Sequence, residues 1–253
     1  MSKLERNDAS LYYQTSGSGS PLLLTHGFAA TSRIWRGQAE AFSDRHQVIR
    51  WDLRGHGRSD SPNDESAYDL EETLSDMASL LDALGHERAV IGGHSLGGYL
   101  SLAFYLRHPE RVRALLIIDA GPGYKSDAPR DRWNEMATGL ACRLEKDGLE
   151  HLTKLGGDID PSEHDSARGL AMAARGLLTQ RDGAVIDSLS SIAVPTLVIV
   201  GAKDRAYLAA SEYMAEKIPD ATQVVIPNAG HAVYLHQPDR FNETVGSFLE
   251  RIG

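Results

Sequence analysis

Runs of Val, Ile and Leu alternate along this chain with stretches whose apolar residues recur every three or four positions. The segments SLYYQT (10–15), PLLLTH (21–26), QVIRWD (47–52) and RAVIGGH (88–94) read as strands. So do RALLIID (113–119), VPTLVIVG (194–201) and TQVVIP (222–227). Several are almost continuous in branched apolar residues, the pattern of strands buried on both faces of a parallel sheet. Between them Leu70, Leu74, Met77, Leu80, Leu81 and Leu84 fall at helical spacing, as do Phe241, Val245, Phe248 and Leu249 near the C-terminus. This alternation predicts an α/β fold with a doubly wound, mostly parallel sheet.

One region breaks the alternation. From about Gly121 to Ala193 the strand pattern is missing and helical spacing dominates. Trp133, Met136, Leu140 and Leu144 share one helical face after a start at Asp127-Ala128-Pro129. A second helix is expected from Ser162, with Asp165 three residues on in the manner of a capping box. The sheet pattern resumes at Pro195. The expected organisation is a core of residues 1–120 and 194–253, with a helical cap insertion, 121–193, over one end of the sheet.

Composition narrows the function classes. A chain of 253 residues can bury a sizeable core, and 42% apolar with 24% charged residues is ordinary for a soluble globular protein. With 26 Lys and Arg against 35 Asp and Glu, the formal charge is −9, and no basic cluster offers a phosphate-binding stripe. Nucleic acid is not an expected partner. The N-terminal MSKLERNDASLYYQ lacks the apolar run of a secretory signal, and no stretch approaches the ~18–20 apolar residues of a membrane span. The lone Cys142 cannot form an intrachain disulfide. The expectation is a cytoplasmic protein with no membrane partner.

Chemistry concentrates where strands end. GHSLG (93–97) has the form G-x-S-x-G, with a buried-type strand before it and a helix pattern after it. A sharp strand-to-helix turn there would expose the Ser95 hydroxyl and leave no room for side chains at Gly93 and Gly97. Serine at its free pKa is a poor nucleophile and needs an oriented base. NAGHAVYLHQPDRF puts His231 in a loop before the last helix, and VIVGAKDR puts Asp204 just past a strand. The order Ser95, Asp204, His231 is that of the strand-turn-helix hydrolases, and all three lie where open α/β sheets bind ligands. Asp119, ending the strand ALLIID, is the rival for the acid. THGF (25–28) follows a strand directly, so the backbone N–H groups of Phe28 and Leu96 are the candidate oxyanion donors.

These segments, with WDLRGHGRSD (51–60), resemble the α/β-hydrolase superfamily over essentially the whole chain. The similarity is greatest to its serine esterase and enol-lactonase-like branch with a short helical cap. The resemblance implies a carboxylesterase that cleaves small to medium carboxylic esters through an acyl-enzyme, needing neither metal nor organic cofactor. Dehalogenases and epoxide hydrolases of this fold use an aspartate nucleophile, where this chain has Ser95. Carbon–carbon bond hydrolases typically carry a tryptophan just after the catalytic histidine, and GHAVYLHQ lacks one. A lactonase, a carbon–carbon hydrolase, a perhydrolase and a slow-turnover ligand receptor stay open as alternatives. The expected small-molecule partner is an ester or a lactone. The sequence is silent on oligomeric state.

The remaining chemistry-bearing residues read as scaffold. His26 should bridge loop to sheet, and His94 should point away from solvent. DLRGHGRSD reads as a glycine-rich loop held by local ion pairs. GGDIDPSEHD (156–165) reads as a solvated turn before a capped helix, lacking any calcium-loop or H-x-x-x-H pattern. Cys142 is expected as a small packing residue. Candidate pocket-wall residues are Trp133, Met136, Leu140, Met172, Leu177 and Leu178, most of which are expected simply to pack the cap onto the core.

Overall fold

The computed structural model describes residues 2–155 and 159–253. The strands are β1 (Ser2–Glu5), β2 (Ser10–Ser16), β3 (Ser20–Thr25), β4 (His46–Trp51), β5 (Ala89–His94), β6 (Val112–Ile118), β7 (Thr196–Gly201) and β8 (Ala221–Ile226). They form one sheet in the order β1-β2-β4-β3-β5-β6-β7-β8. β1 and β2 run antiparallel to their neighbours, and every pairing from β4 to β8 is parallel. The helices before the cap region are α1 (Arg36–Phe42), α2 (Leu70–Ala83) and α3 (Leu96–Arg107). Then come α4 (Asp127–Asp147), α5 (Ala167–Ala173) and α6 (Ala184–Ser188), all between β6 and β7, followed by α7 (Leu208–Lys217), α8 (Val233–His236) and α9 (Pro238–Ile252).

Because side chains alternate along a strand, the central strands send apolar residues to both faces of the sheet. In β6, Leu115 and Ile117 enter the core against α2 and α3, while Leu116 and Ile118 enter the opposite core with Trp35, Phe241 and Phe248. β3, β5 and β7 divide their side chains in the same way. Strand order reverses between β3 and β5, so the loops leaving their carboxyl ends splay apart there. Such a switch point is where open α/β sheets form a crevice.

The expected strands are present to within one or two residues, and β1 is an addition. Its sequence SKLE is largely exposed at the sheet edge, so it carries no burial pattern to read. The first helix between β6 and β7 begins at Asp127 as expected, but the second does not begin at Ser162. Pro161–Glu163 is a 3-10 turn capped by Asp160, and α5 starts at Ala167 with Ser166 accepting from the Gly169 N–H. Cys142 is exposed, which corrects its reading as a packing residue. Gly156–Asp158, the start of the acidic segment, lies outside the described residues. Among the described residues no helix is long and apolar enough to cross a membrane.

The loop after β4 is anchored by charge. Arg54 is 1% exposed and grips Asp76 with two hydrogen bonds, at 2.6 and 2.9 Å. It also donates to Asp8 at 2.7 Å and to Glu72 at 2.9 Å, while Arg6 reaches Asp76 at 2.9 Å. Asp76 is fully buried, so removing its main partner strands a charge, a change that costs about 3–5 kcal/mol. Arg54→Met is expected to destabilise near the low end, about 3 kcal/mol, because Arg6 remains. Urea unfolding measures it, and a change below about 1 kcal/mol would contradict this anchoring.

Candidate active site

The turn from β5 to α3 is tight because two glycines let backbone meet backbone. A methyl group on Gly93 would stand 2.3 Å from the Gly97 carbonyl carbon, and one on Gly97 would stand 2.2 Å from the Thr25 carbonyl oxygen. Ser95 between them has φ 53° and ψ −114°, a conformation that L-residues avoid, and its N–H is held by the Ile118 carbonyl at 2.9 Å. Positive φ also occurs at Ala29 (58°) and Asp119 (45°). Among the described residues, three of the four non-glycine residues with positive φ thus follow β3, β5 and β6, beside the switch point, and the fourth, Asn228, follows β8.

Three side chains predicted as a set meet there. His231 Nε2 lies 3.0 Å from Ser95 Oγ, and His231 Nδ1 lies 2.7 Å from Asp204 Oδ2. A carboxylate only accepts, so Nδ1 is the donor and Nε2 is left to accept the Ser95 proton. Asp204 is 7% exposed, whereas the His231 side chain is 44% exposed and open to a ligand. Among the described residues no group of three or more His, Cys, Asp or Glu is arranged to hold a metal ion.

Asp119 occupies a different station. Its Oδ1 accepts from the Gly201 N–H at 2.8 Å and its Oδ2 from the Val233 N–H at 3.0 Å. It thus ties the end of β7 to the segment after His231. Burial pushes its pKa up to about 6, against the pull of those N–H groups. His94 braces the same segment: its Nε2 donates to the His231 carbonyl oxygen at 2.6 Å, and the two rings pack 4.8 Å apart. Burial, with His231 adjacent, lowers the His94 pKa to about 3. His26 is fully buried, donating from Nδ1 to the Gly27 carbonyl at 2.7 Å and accepting at Nε2 from the Leu53 N–H at 3.0 Å. Burial lowers its pKa to about 4.

The loop carrying Phe28 presses on the serine. A methyl group on Gly27 would lie 3.2 Å from Ser95 Cβ and 2.8 Å from His94 Nδ1. Its far side is held by His164, which is buried, accepts from the Gly57 N–H at 3.1 Å and donates to the Ala29 carbonyl at 2.9 Å. The end of the acidic segment is therefore a clasp, not the solvated turn that its composition suggested. Asp52 holds WDLRGHGRSD to the same loop by accepting from the Ser32 and Arg58 N–H groups, at 2.6 and 2.9 Å.

Ser95 and Leu96 open into a cavity of about 190 Å³. Trp133, Leu177 and Leu178 line it, the last two from a π-helical turn (Ala174–Leu178) that follows α5. Met136 is instead 47% exposed. Leu140 packs with Ala141, Leu144 and Leu170 inside the helical region, and Met172 packs with Ala67 and Tyr68. Helical spacing identified an apolar face but not which of its members meets the cavity. Tyr99, Tyr124, Gln180 and Tyr207, which sequence patterning did not single out, complete much of the wall. The wall is cross-braced: Trp133 Nε1 donates to the Leu178 carbonyl at 2.6 Å, and Asn134 exchanges two hydrogen bonds with the Gln180 backbone. Tyr207 stacks on His231, with ring centres 5.0 Å apart and planes 21° apart.

Residues 20–140 match the family described as alpha/beta hydrolase fold. Over 97% of both chains the sequence is 32% identical to the putative carbamate hydrolase RutD of Azorhizobium caulinodans. It is 29% identical to a pimeloyl-[acyl-carrier protein] methyl ester esterase of Nitrosomonas europaea, covering 92% of this chain and 97% of that one. The structure superposes on a thermophilic esterase from Thermogutta terrifontis with a TM-score of 0.82 at 27% identity, covering 100% and 99% of the two chains.

Two outcomes follow from this geometry. Asp204→Asn should lower kcat/KM for p-nitrophenyl acetate by about 10⁴-fold, the size seen when an orienting carboxylate is neutralised. Asp119→Asn should lower the unfolding midpoint while holding kcat/KM within about tenfold, and the reverse ranking would contradict the assignment. The buried histidines set an acid limit. Their folded pKa values lie below the unfolded 6.5, so their contribution is full above about pH 6.5 and is lost as acid charges the unfolded chain. Asp119 has the opposite sign but is one group against several. Urea midpoints should therefore fall from pH 6.5 to 4, with a shallower fall in His94→Gln. An unchanged slope in that variant would contradict the linkage.

Proposed function

The chain belongs to the α/β-hydrolase family, and from that premise we propose that it is a serine hydrolase of small, neutral carboxylic esters. The observation that carries the reading is the hydrogen-bonded line Ser95–His231–Asp204 at the edge of an uncharged cavity. His231 takes the Ser95 proton as Oγ attacks the ester carbonyl. The N–H groups of Phe28 and Leu96 receive the developing oxyanion, with the N-terminus of α3 behind the second. Asp204 holds the imidazole in the right tautomer and stabilises its charged form. Breakdown of the tetrahedral intermediate leaves an acyl group on Ser95, and water repeats the cycle to release the acid. The chemistry calls for no metal or organic cofactor.

The cavity supports the substrate class. Its volume of about 190 Å³ is below the roughly 300–1,000 Å³ of pockets for drug-sized ligands. Among the described residues its wall contains phenols, an indole, an amide and aliphatic groups, but no Lys, Arg, Asp or Glu. A substrate carboxylate placed here would lose its water without gaining a cation, which is costly. The helical region between β6 and β7, which we read as the cap, supplies Trp133, Leu177, Leu178 and Gln180 to this wall.

The test is hydrolysis of p-nitrophenyl esters from acetate to palmitate, with open-chain methyl butyrate, methyl hydrogen succinate and a simple lactone alongside. The expected result is an optimum at short chains, a preference of at least about tenfold for methyl butyrate over the charged succinate, and a loss of at least about 10³-fold in Ser95→Ala. Equal slow turnover by wild type and Ser95→Ala would overturn the esterase reading. Faster turnover of the lactone than of any open-chain ester would replace it with a lactonase.

A further inference from the structure

Tyr207 is held more firmly than a pocket wall requires. It lies three residues after Asp204, on the N-terminal side of α7, with its N–H donating to the Asp204 carbonyl at 3.1 Å and its carbonyl accepting from Ser211 at 2.8 Å. The position opposite its ring is Gly121, where an added methyl would already touch Cδ1 at 3.6 Å. One face of the ring lies flat on the His231 imidazole. The residue lines the same cavity as Ser95, and its hydroxyl lies within hydrogen-bonding reach of the Ser95 side chain.

We propose that Tyr207 is a catalytic residue whose hydroxyl donates a hydrogen bond to the departing alkoxy oxygen, fitting this site to unactivated alkyl esters. The inference rests on Ser95 and His231 acting as described above. Two oxygens gain charge in turn, the carbonyl oxygen as the tetrahedral intermediate forms and the alkoxy oxygen as it breaks down. The carbonyl oxygen turns toward the N–H groups of Phe28 and Leu96. The alkoxy oxygen must instead lie beside His231 Nε2, which protonates it, and so next to the imidazole on which the Tyr207 ring is stacked. As the carbon–oxygen bond breaks, its electron pair passes to the alkoxy oxygen and the proton comes from His231. Tyr207 keeps its own proton throughout. Burial supports that role by raising the phenol pKa to about 12, with the adjacent Ser95 hydroxyl pulling the other way, so the group stays a donor at neutral pH.

The consequence is a dependence on the leaving group. An alkoxide leaves with difficulty and gains from a second donor, whereas p-nitrophenolate leaves unaided. The quantity to compare is kcat/KM, which reports steps only through acylation and is blind to hydrolysis of the shared acyl-enzyme. Tyr207→Phe keeps the ring on His231 and deletes only the donor. It should lower kcat/KM for ethyl butyrate by about 10²-fold, the lower end of what one lost transition-state donor costs. For p-nitrophenyl butyrate the loss should stay under about threefold. Tyr207→Leu removes the stacked ring as well and should slow both esters. Equal losses on the two esters in Tyr207→Phe, or no loss on either, would overturn the proposal. Ser95→Ala run in parallel separates the two levels. If it stays active, the serine mechanism itself fails. If it is dead while Tyr207→Phe shows no leaving-group dependence, only the role of Tyr207 fails.

Discussion

The site depends on the contact between the first turn of α3 and the end of β3, made possible by hydrogen atoms at Gly93 and Gly97. With the Thr25 carbonyl 2.2 Å from where a Gly97 methyl would stand, no other residue fits without moving a central strand. That approach forces Ser95 into a left-handed backbone and lifts its hydroxyl off the sheet. Ser95 also hydrogen-bonds to β6 through Ile118, so the strained turn is pinned from two neighbouring strands. Strain of this kind, of order 1–3 kcal/mol, persists only where the surroundings over-determine it. Here the surroundings are the most buried strands of the molecule.

The proposed base, His231, is positioned by a different device. His231 sits on a loop with 44% of its side chain exposed, and packing alone would leave it mobile. Its loop is instead fastened to the sheet by buried polar groups: His94 through the His231 carbonyl, Asp119 through Gly201 and Val233, and Ala229 through Lys203 at 2.7 Å. These groups are costly to bury, and the raised pKa of Asp119 and the lowered pKa of His94 register that cost. The residues that fix the geometry are thus distinct from those that would move the proton.

The central strands were legible because burial on both faces leaves continuous apolar runs, and Ser95 and Asp204 because each follows such a run, while His231 follows the half-exposed β8 within a motif-like loop. Legibility failed where local chemistry imitated a signal. Ser162 with Asp165 looks like a capping box, yet Pro161 supports a 3-10 turn and the cap is Ser166. It failed again where the decisive fact is which side of a helix faces the cavity. Trp133 and Met136 share one helical stripe, but only Trp133 lines the cavity, while Met136 faces solvent. Tyr207 belongs to no motif, and only the folded loop after Asp204 lays it on the imidazole. His164 was obscured by the acidic residues around it, whose composition suggested exposure.

The most direct test of the central claim is the site of covalent capture. The protein is reacted with a fluorophosphonate, which loses fluoride as an activated serine oxygen bonds to phosphorus, and the adduct is located by peptide mass spectrometry. The account predicts one adduct per chain, on Ser95, and none on the His231→Ala protein over the same time. An adduct on another residue, or undiminished labelling without His231, would contradict it.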